Sequence, residues 1–152
     1  MSNSGSSLMY SLPPETPASA ERRQALMGDE KWLTVDSVAA YLGLTDPKAI
    51  SRVLKFREQG KILGVWVNEE RAFRFPVFQF HQGRVRPQMK PLLDLIADLL
   101  DGPESGWGQV EWFYARHALM DAKLPSEMMV FDPDRVLNVL ERHIEDGPNA
   151  CW

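Results

Sequence analysis

Proline and glycine residues at helix-start and helix-stop positions divide this chain into short helices. Asp46-Pro47 and Asp132-Pro133 each place a capping carboxylate before a proline at the first helical position, where its missing N–H costs nothing. Gly43 and Gly60 follow stretches of helical periodicity and supply the backbone freedom that a helix exit needs. The sequence therefore predicts several short helices joined by tight turns.

The first two predicted helices have the outline of a helix-turn-helix. Thr34 or Asp36 can cap the first, which runs to Leu42, and the second runs from Pro47 to about Gln59. A short turn that contains glycine joins the two, as in helix-turn-helix motifs.

Two β-prone runs follow and predict a hairpin. Residues 62–67 and 71–75 flank the polar turn 68–70. Pro76 has no N–H to give to a strand ladder, so we expect the second strand to end there. The hairpin and the preceding helices make a winged arrangement, and we assign residues 30–83 to a helix-turn-helix DNA-binding module.

The remainder of the folded chain, residues 86–146, is predicted to be helical. Pro87 or Pro91 starts an apolar helix, Pro125 starts a short one, and Asp132-Pro133 starts a last amphipathic helix. The expected fold class is mainly α with a small β-hairpin, in which a winged helix-turn-helix module precedes a helical domain.

The ends of the chain and its cysteine usage indicate a cytoplasmic protein. Residues 1–20 are rich in Ser and Pro and are expected to form a flexible tail, although a short helix can form over residues 18–27. The single cysteine, Cys151, excludes an intramolecular disulfide and fits a reducing compartment. No apolar run approaches the ~20 residues of a membrane span, and no secretion signal is apparent.

Charge is divided unevenly along the chain. Residues 31–90 contain eleven Lys and Arg against five Asp and Glu, a net of +6, whereas residues 91–152 contain four against twelve, a net of −8. A phosphate backbone responds to local positive charge, so the sequence pI near 5.4 does not exclude nucleic acid. The division predicts two surfaces with different partners.

The second helix of the predicted motif carries a polar, mostly basic stripe on one face. Its members are Lys48, Ser51, Arg52, Lys55 and Gln59. A major groove admits one helix, whose long donor side chains can reach phosphates and guanine edges. Arg71 and Arg74 of the hairpin are expected to contact the DNA backbone. A solvated helix face is the alternative interpretation, and because the first helix adds few basic groups, DNA binding would need a dimer or a larger assembly.

The segment Phe73-Arg74-Phe75-Pro76-Val77-Phe78-Gln79-Phe80 resembles a known pattern. Antitoxins with an Xre/MbcA/ParS-type toxin-binding domain often have an aromatic-Arg-aromatic-Pro segment that leads into Phe-Gln-Phe. Residues 83–87 are similar to the Gly and Pro that open the family's next helix. Trp112-Phe113, Leu119, residues 124–129 and residues 134–137 resemble its later Trp, Leu, Pro and Arg-Val elements, so the resemblance covers about residues 32–146.

The resemblance implies an antitoxin of a type II toxin–antitoxin pair. Such proteins are typically homodimers that bind their toxin, here a RES-type toxin that consumes NAD, and often bind operator DNA to repress their own operon. Residues 86–146 would then be the toxin-binding domain. The candidate toxin contacts are Trp112, Leu124, Pro125, Met128, Met129, Arg135 and Trp152.

The C-terminal tail, residues 147–152, has a separate expectation. A terminal Trp152 is costly to leave in water, and tryptophans often anchor interfaces. We expect this tail to insert into the toxin near its active-site cleft, and the alternative is that Trp152 folds back on its own domain.

The sequence has no pattern typical of catalysis or metal binding. His81, His117 and His143 have no Cys or His partner at ligand spacing, and Gly-rich phosphate loops, GxSxG and HExxH motifs are absent. We therefore expect no catalytic residue, metal or cofactor. Two other functions stay open: a stand-alone DNA-binding regulator of the excisionase or MerR type, which residues 33–44 also resemble, and an interaction adaptor that does not bind DNA.

Overall fold

The computed structural model describes residues 17–29, 31–99 and 106–146, and this part of the chain is mainly helical with small antiparallel sheets. The helices are α1 (Pro17–Asp29), α2 (Val35–Tyr41), α3 (Ala49–Glu58), α4 (Met89–Leu99), α5 (Trp107–Phe113), α6 (Pro125–Phe131) and α7 (Pro133–Asp146). The strands are β1 (Trp32–Thr34), β2 (Val65–Val67), β3 (Ala72–Pro76), β4 (Phe80–His81) and β5 (Arg84–Val85). Short 3₁₀ helices occupy Val77–Gln79 and Ala118–Met120.

The first helix confirms the short helix expected near residues 18–27. It begins at Pro17, so residues 17–20 are helical rather than part of the predicted tail. Its Leu26 carbonyl accepts a hydrogen bond from the Trp32 indole at 3.1 Å, and the Arg23 guanidinium lies 5.2 Å from the centre of the Trp107 ring. Helix α1 is therefore fixed to both halves of the chain.

The start of α2 and the glycine stop signals are as predicted, whereas the predicted start of α3 at Pro47 with an Asp46 cap is wrong, since Lys48 is its N-cap residue. The Thr34 hydroxyl accepts a hydrogen bond from the Ser37 backbone N–H at 3.1 Å and caps α2. The Asp46 carboxylate accepts one from the Lys48 N–H at 2.8 Å, and α3 begins two residues later than predicted because a turn precedes it. Gly60, with φ +71°, follows the end of α3.

The predicted hairpin is present as the antiparallel pair β2–β3, and β1 joins it to give the strand order β1-β3-β2. The register places Trp66 opposite Phe73 and Leu33 opposite Phe75. Phe73 and Phe75 are buried, whereas Ala72 and Arg74 on the other face of the strand are half-buried. The sequence did not reveal β1, since three residues are too few to show a period of two.

The second sheet is a two-stranded hairpin, β4–β5, that the sequence also failed to predict. Gln82 and Gly83 form its turn with φ of +52° and +77°. Such left-handed pairs match the twist of tight hairpins. The sheet carries the chain from β3 to α4.

The C-terminal helices follow the predicted order. Helices α6 and α7 begin at the predicted prolines, α4 begins between its two candidate starts, and α5 begins three residues before the predicted segment at Val110. On α7, Val136 and Leu140 are fully buried, which confirms the apolar stripe.

Buried apolar side chains form two clusters. The helix–sheet core lies between α2, α3 and the first sheet, and contains Val38, Ala39, Val53, Ile62, Phe73, Phe75 and Phe80. The helical core is larger and lies mainly among α4 to α7; it includes Leu63, Val65, Phe78, Leu92, Ile96, Val110, Phe113, Met128, Met129, Val136 and Leu140. Two neighbouring residues thus lie in different cores, because Ile62 belongs to the helix–sheet core and Leu63 belongs to the helical core.

The buried amide of Gln79 connects the segments that feed these two cores. Its Oε1 accepts a hydrogen bond from the Leu63 N–H at 2.7 Å. Its Nε2 donates to the Leu63 carbonyl at 2.8 Å and to the Pro76 carbonyl at 3.0 Å. Because Gln79 is fully buried, water cannot replace these bonds.

A close backbone contact between two glycines also joins the two halves. A Cβ atom at Gly106 would lie 2.1 Å from the Gly64 carbonyl oxygen, and one at Gly64 would lie 2.5 Å from the Phe75 ring. The Gly64 carbonyl also accepts a hydrogen bond from the Arg57 Nε at 3.0 Å. Glycine is required at both positions, since any side chain would force the segments apart.

Replacing the buried amide by Gln79→Leu should destabilise the fold by about 3 kcal/mol or more. The change removes the partner of three groups, the Leu63 N–H, the Leu63 carbonyl and the Pro76 carbonyl, and each buried group left unsatisfied costs about 1–3 kcal/mol. Urea denaturation would measure the loss, with Gln24→Leu at an exposed glutamine of α1 as the control. A loss below about 1 kcal/mol would contradict the role assigned to this amide.

Candidate nucleic-acid and partner-binding surfaces

The polar stripe predicted on the second helix is an exposed face of α3. Lys48, Ser51, Arg52, Lys55 and Gln59 are all exposed. On the opposite side of the helix Val53 is fully buried in the helix–sheet core. Packing therefore fixes the direction in which the stripe points.

One cation of the stripe already has a carboxylate partner. The Arg52 Nε lies 2.9 Å from the Asp46 Oδ2, and both side chains are about half exposed. Lys48 and Lys55 make no ion pair with the described residues. A phosphate that approached Arg52 would compete with Asp46, so the stripe has less effective positive charge than its sequence indicates.

The hairpin contributes less positive charge than expected. The Arg74 guanidinium donates to both carboxylate oxygens of Glu70, at 2.7 Å and 3.2 Å. Glu69 lies in the same turn and is exposed. Arg71 is exposed at the end of this turn, with φ +52°, and is the hairpin cation that makes no ion pair with the described residues.

Three of the residues predicted to contact a toxin are buried. Pro125 is buried at the start of α6, and Met128 and Met129 lie in the helical core, with Met128 6% exposed and Met129 fully buried. These side chains pack inside the chain, and their contact with a toxin stays a prediction. Methionine spacing alone does not distinguish a packed helix face from an adaptable surface.

The other predicted toxin contacts have mixed positions. Trp112 and Leu124 are half-buried. Arg135 donates to the Leu119 carbonyl at 3.1 Å and to Asp121 at 3.3 Å, and so holds the 3₁₀ turn against α7. Trp152 and the tail of residues 147–152 lie outside the described residues, as do residues 1–16.

The most exposed large apolar side chains among the described residues of this half are the two that follow the methionines. Val130 is 56% exposed and Phe131 is 79% exposed. Sequence reasoning missed them, although the run Met128 to Phe131 carries the signal. A helix that packs on one side cannot bury four consecutive apolar residues.

An open groove of about 770 Å³ lies beside these side chains. Residues of α6, of the 3₁₀ helix Val77–Gln79 and of β4 line it. Its apolar lining is Val77, Phe78, Phe80, Val130 and Phe131, and its charged lining is Lys31, Arg86, Lys123 and Glu127. The groove thus combines an apolar floor with an excess of positive charge.

Arg86 is the most constrained cation of the groove. Its Nε donates to the Phe78 carbonyl at 2.8 Å. Burial lowers the pKa of its guanidinium, while the neighbouring Tyr41 acts in the opposite direction. A partly desolvated guanidinium attracts a carboxylate more strongly than a solvated one does.

His117 is the buried histidine of the helical half. It is 7% exposed, and its Nε2 lies 3.4 Å from the Trp112 carbonyl. Burial lowers the pKa of its imidazole, the contact with the Trp112 carbonyl acts against this, and the charge of His143 lowers it further. In the described part of the chain no group of three or more His, Cys, Asp or Glu could hold a metal ion.

Comparisons of this chain with protein-family models, with curated proteins and with solved structures found no match in any of the three. None of the helices in the described ranges is long and apolar enough to cross a membrane.

Acidification should destabilise the fold through His117. Because the folded state lowers its pKa, the unfolded chain binds the proton more readily, and stability falls as the pH drops below about 6.5, by at most about 1.4 kcal/mol per pH unit. Urea midpoints at pH 7.5 and 5.5 would measure the effect. The variant His117→Gln should reduce this pH dependence, whereas His81→Gln at an exposed histidine should leave it unchanged. An undiminished pH dependence in His117→Gln would contradict the account.

Proposed function

We propose that this chain is an antitoxin of a type II toxin–antitoxin pair, a cytoplasmic regulator that acts by binding. In this proposal α3 binds operator DNA and the acidic helical half binds and neutralises a toxin protein. The observation that carries the proposal is the exposed basic stripe, which is held outward by a buried opposite face.

The order of elements supports DNA binding. The chain runs β1, α2, α3, β2, β3, and β3 lies between β1 and β2 in the sheet. We propose that α2 and α3 are a helix-turn-helix whose second helix enters the major groove, and that the β2–β3 hairpin is its wing. In this proposal α3, with its stripe, is the recognition helix.

The number of cations indicates how strong such binding would be. Lys48, Arg52 and Lys55 could neutralise three phosphates per copy, with Arg52 partly compensated by Asp46. Each neutralised phosphate contributes about −0.9 to the slope of log affinity against log salt concentration. One copy would bind weakly, so the proposal includes a homodimer that presents two stripes to two half-sites.

The helical half supports a protein partner. Residues 91–152 carry a net charge of −8, which repels DNA and suits a basic protein surface. The nature of the toxin, a RES-type enzyme that consumes NAD, rests on the resemblance of residues 32–146 to Xre/MbcA/ParS-type antitoxins.

Removing either unpaired lysine of the stripe should weaken DNA binding. Lys48→Ala and Lys55→Ala should each lower the affinity for a duplex of the chain's own promoter and reduce the salt slope by about 1. Fluorescence anisotropy at several salt concentrations would measure both quantities. Lys90→Ala, at an exposed lysine of α4 paired with Asp94, is the matched control. Unchanged affinity and slope in both stripe variants would refute DNA recognition by α3.

Removing the carboxylate that pairs with Arg52 should strengthen DNA binding. In Asp46→Asn the amide oxygen can still accept the Lys48 N–H bond, while the competing negative charge is lost. We expect promoter affinity to rise several-fold at low salt, by an amount of about 1 kcal/mol or less. Asp36→Asn, at an exposed aspartate in the first turn of α2, is the control. A weaker complex in Asp46→Asn would contradict this geometry.

The antitoxin assignment has its own test. The chain is co-expressed with the reading frame adjacent to its gene, and growth and copurification are measured. We expect that frame to arrest growth when expressed alone, and the full chain to restore growth and to copurify with its product. If the neighbour is harmless but promoter DNA is bound, the stand-alone regulator replaces the antitoxin. If neither DNA nor toxin is affected, the adaptor alternative replaces both.

A further inference from the structure

We infer that two copies of this chain pair through the groove and the adjacent end of α6, so that Phe131 of each copy enters the groove of the other. The inference rests on the part of the proposed function that requires two copies, and it assigns the surface through which they meet.

The exposure of Phe131 calls for a covering surface. At 79% it is the most exposed of the large apolar side chains in the described ranges, and Val130 beside it is 56% exposed. Burying a phenylalanine side chain removes its apolar surface from water and so stabilises a complex. Aromatic residues of this kind are frequent anchors of interfaces.

The groove offers a receptor for such an anchor on the same face. Phe78 and Phe80 belong to its floor, and Val130 and Phe131 form its α6 wall. In a two-fold interface the same patch occurs on both partners, so each patch must carry both the inserted group and the site that receives it. A groove for an unrelated protein would not need its own anchor at the rim.

The charges of the patch are complementary to one another. The groove carries Lys31, Arg86 and Lys123 against the single carboxylate of Glu127. Directly after Phe131 come the exposed carboxylates of Asp132 and Asp134. Two copies related by a two-fold axis would place this acidic helix start of one over the basic groove of the other.

The charged side chains of the groove and of the start of α7 are available for ion pairs between two copies. Lys123 makes no ion pair with the described residues. Among the described residues, the Arg86 side chain makes one hydrogen bond, from its Nε to the Phe78 carbonyl. Asp134 accepts one hydrogen bond from the Gln88 amide at 2.9 Å and stays exposed. The Arg86 terminal nitrogens can therefore bind a carboxylate without breaking an existing contact.

Sedimentation velocity of the full chain, over a range of concentrations, tests the pairing. We expect a dimer, and Phe131→Ser should raise its dissociation constant at least about tenfold, since truncating a buried aromatic anchor costs more than about 1.4 kcal/mol. Leu119→Ser, at a leucine that is 37% exposed outside the groove, should leave the dimer unchanged. The thermal unfolding of each variant is measured as a control, and we expect a folded monomer in every case.

A charge exchange identifies a second copy as the occupant. Lys123→Glu reverses a charge of the groove, and Asp134→Lys reverses one at the start of α7. Each variant alone should dimerise about tenfold more weakly at low salt, because both contacts then set like charges together. An equimolar mixture should recover the dimer as a heterodimer, since each groove then meets a partner of opposite charge.

The outcomes separate this inference from the proposed function. A monomer at all concentrations would overturn both the pairing and the two-copy part of that function. A dimer insensitive to Phe131→Ser, or a mixture that does not recover, would overturn the pairing alone and leave a dimer through another surface. The lysine variants of α3 test DNA binding separately, and their promoter affinity does not decide whether two copies pair through the groove.

Discussion

The buried amide of Gln79 is the interaction on which the arrangement of the two cores depends. The chain passes from the helix–sheet core to the helical core between Ile62 and Leu63, and again between Phe75 and Phe78, where Pro76 lies. At both crossings backbone polar groups enter the interior, where an unpaired group is costly. Gln79 satisfies three of them at once, so a single side chain keeps the two crossings in register.

The two candidate binding surfaces are consequences of this arrangement. The helix–sheet core buries one side of α3 and turns its basic stripe outward. Met128 and Met129 of α6 are buried in the helical core. The next two residues of the same helix, Val130 and Phe131, are therefore exposed to solvent. Gly64 and Gly106 let the two halves of the chain approach closely without a side chain between them.

Local signals predicted most helices, whereas tertiary contacts decided the details of the sites. Thr34, Pro125 and Pro133 marked helix starts because capping depends on neighbours in sequence. Strands of two or three residues have no detectable period, so β1, β4 and β5 were missed. The sequence predicted that the polar residues of α3 lie on one face. The ion pair between Arg52 and Asp46 could not be predicted, because it depends on the conformation of the turn before the helix. The sequence showed the Phe-Gln-Phe motif only as a resemblance to a family. Its role in joining the two cores depends on tertiary contacts and could not be predicted from the sequence.

The central claim is that one chain separates a cationic DNA-binding face from a protein-binding face. Amide chemical-shift mapping by NMR, with promoter duplex added to the uniformly labelled chain, tests it most directly. The account predicts that shifts concentrate in residues 46–59 and 68–74, while residues 125–137 change little beyond any effect of dimer formation. Shifts confined to the acidic helical half, or spread evenly without reference to α3, would contradict it.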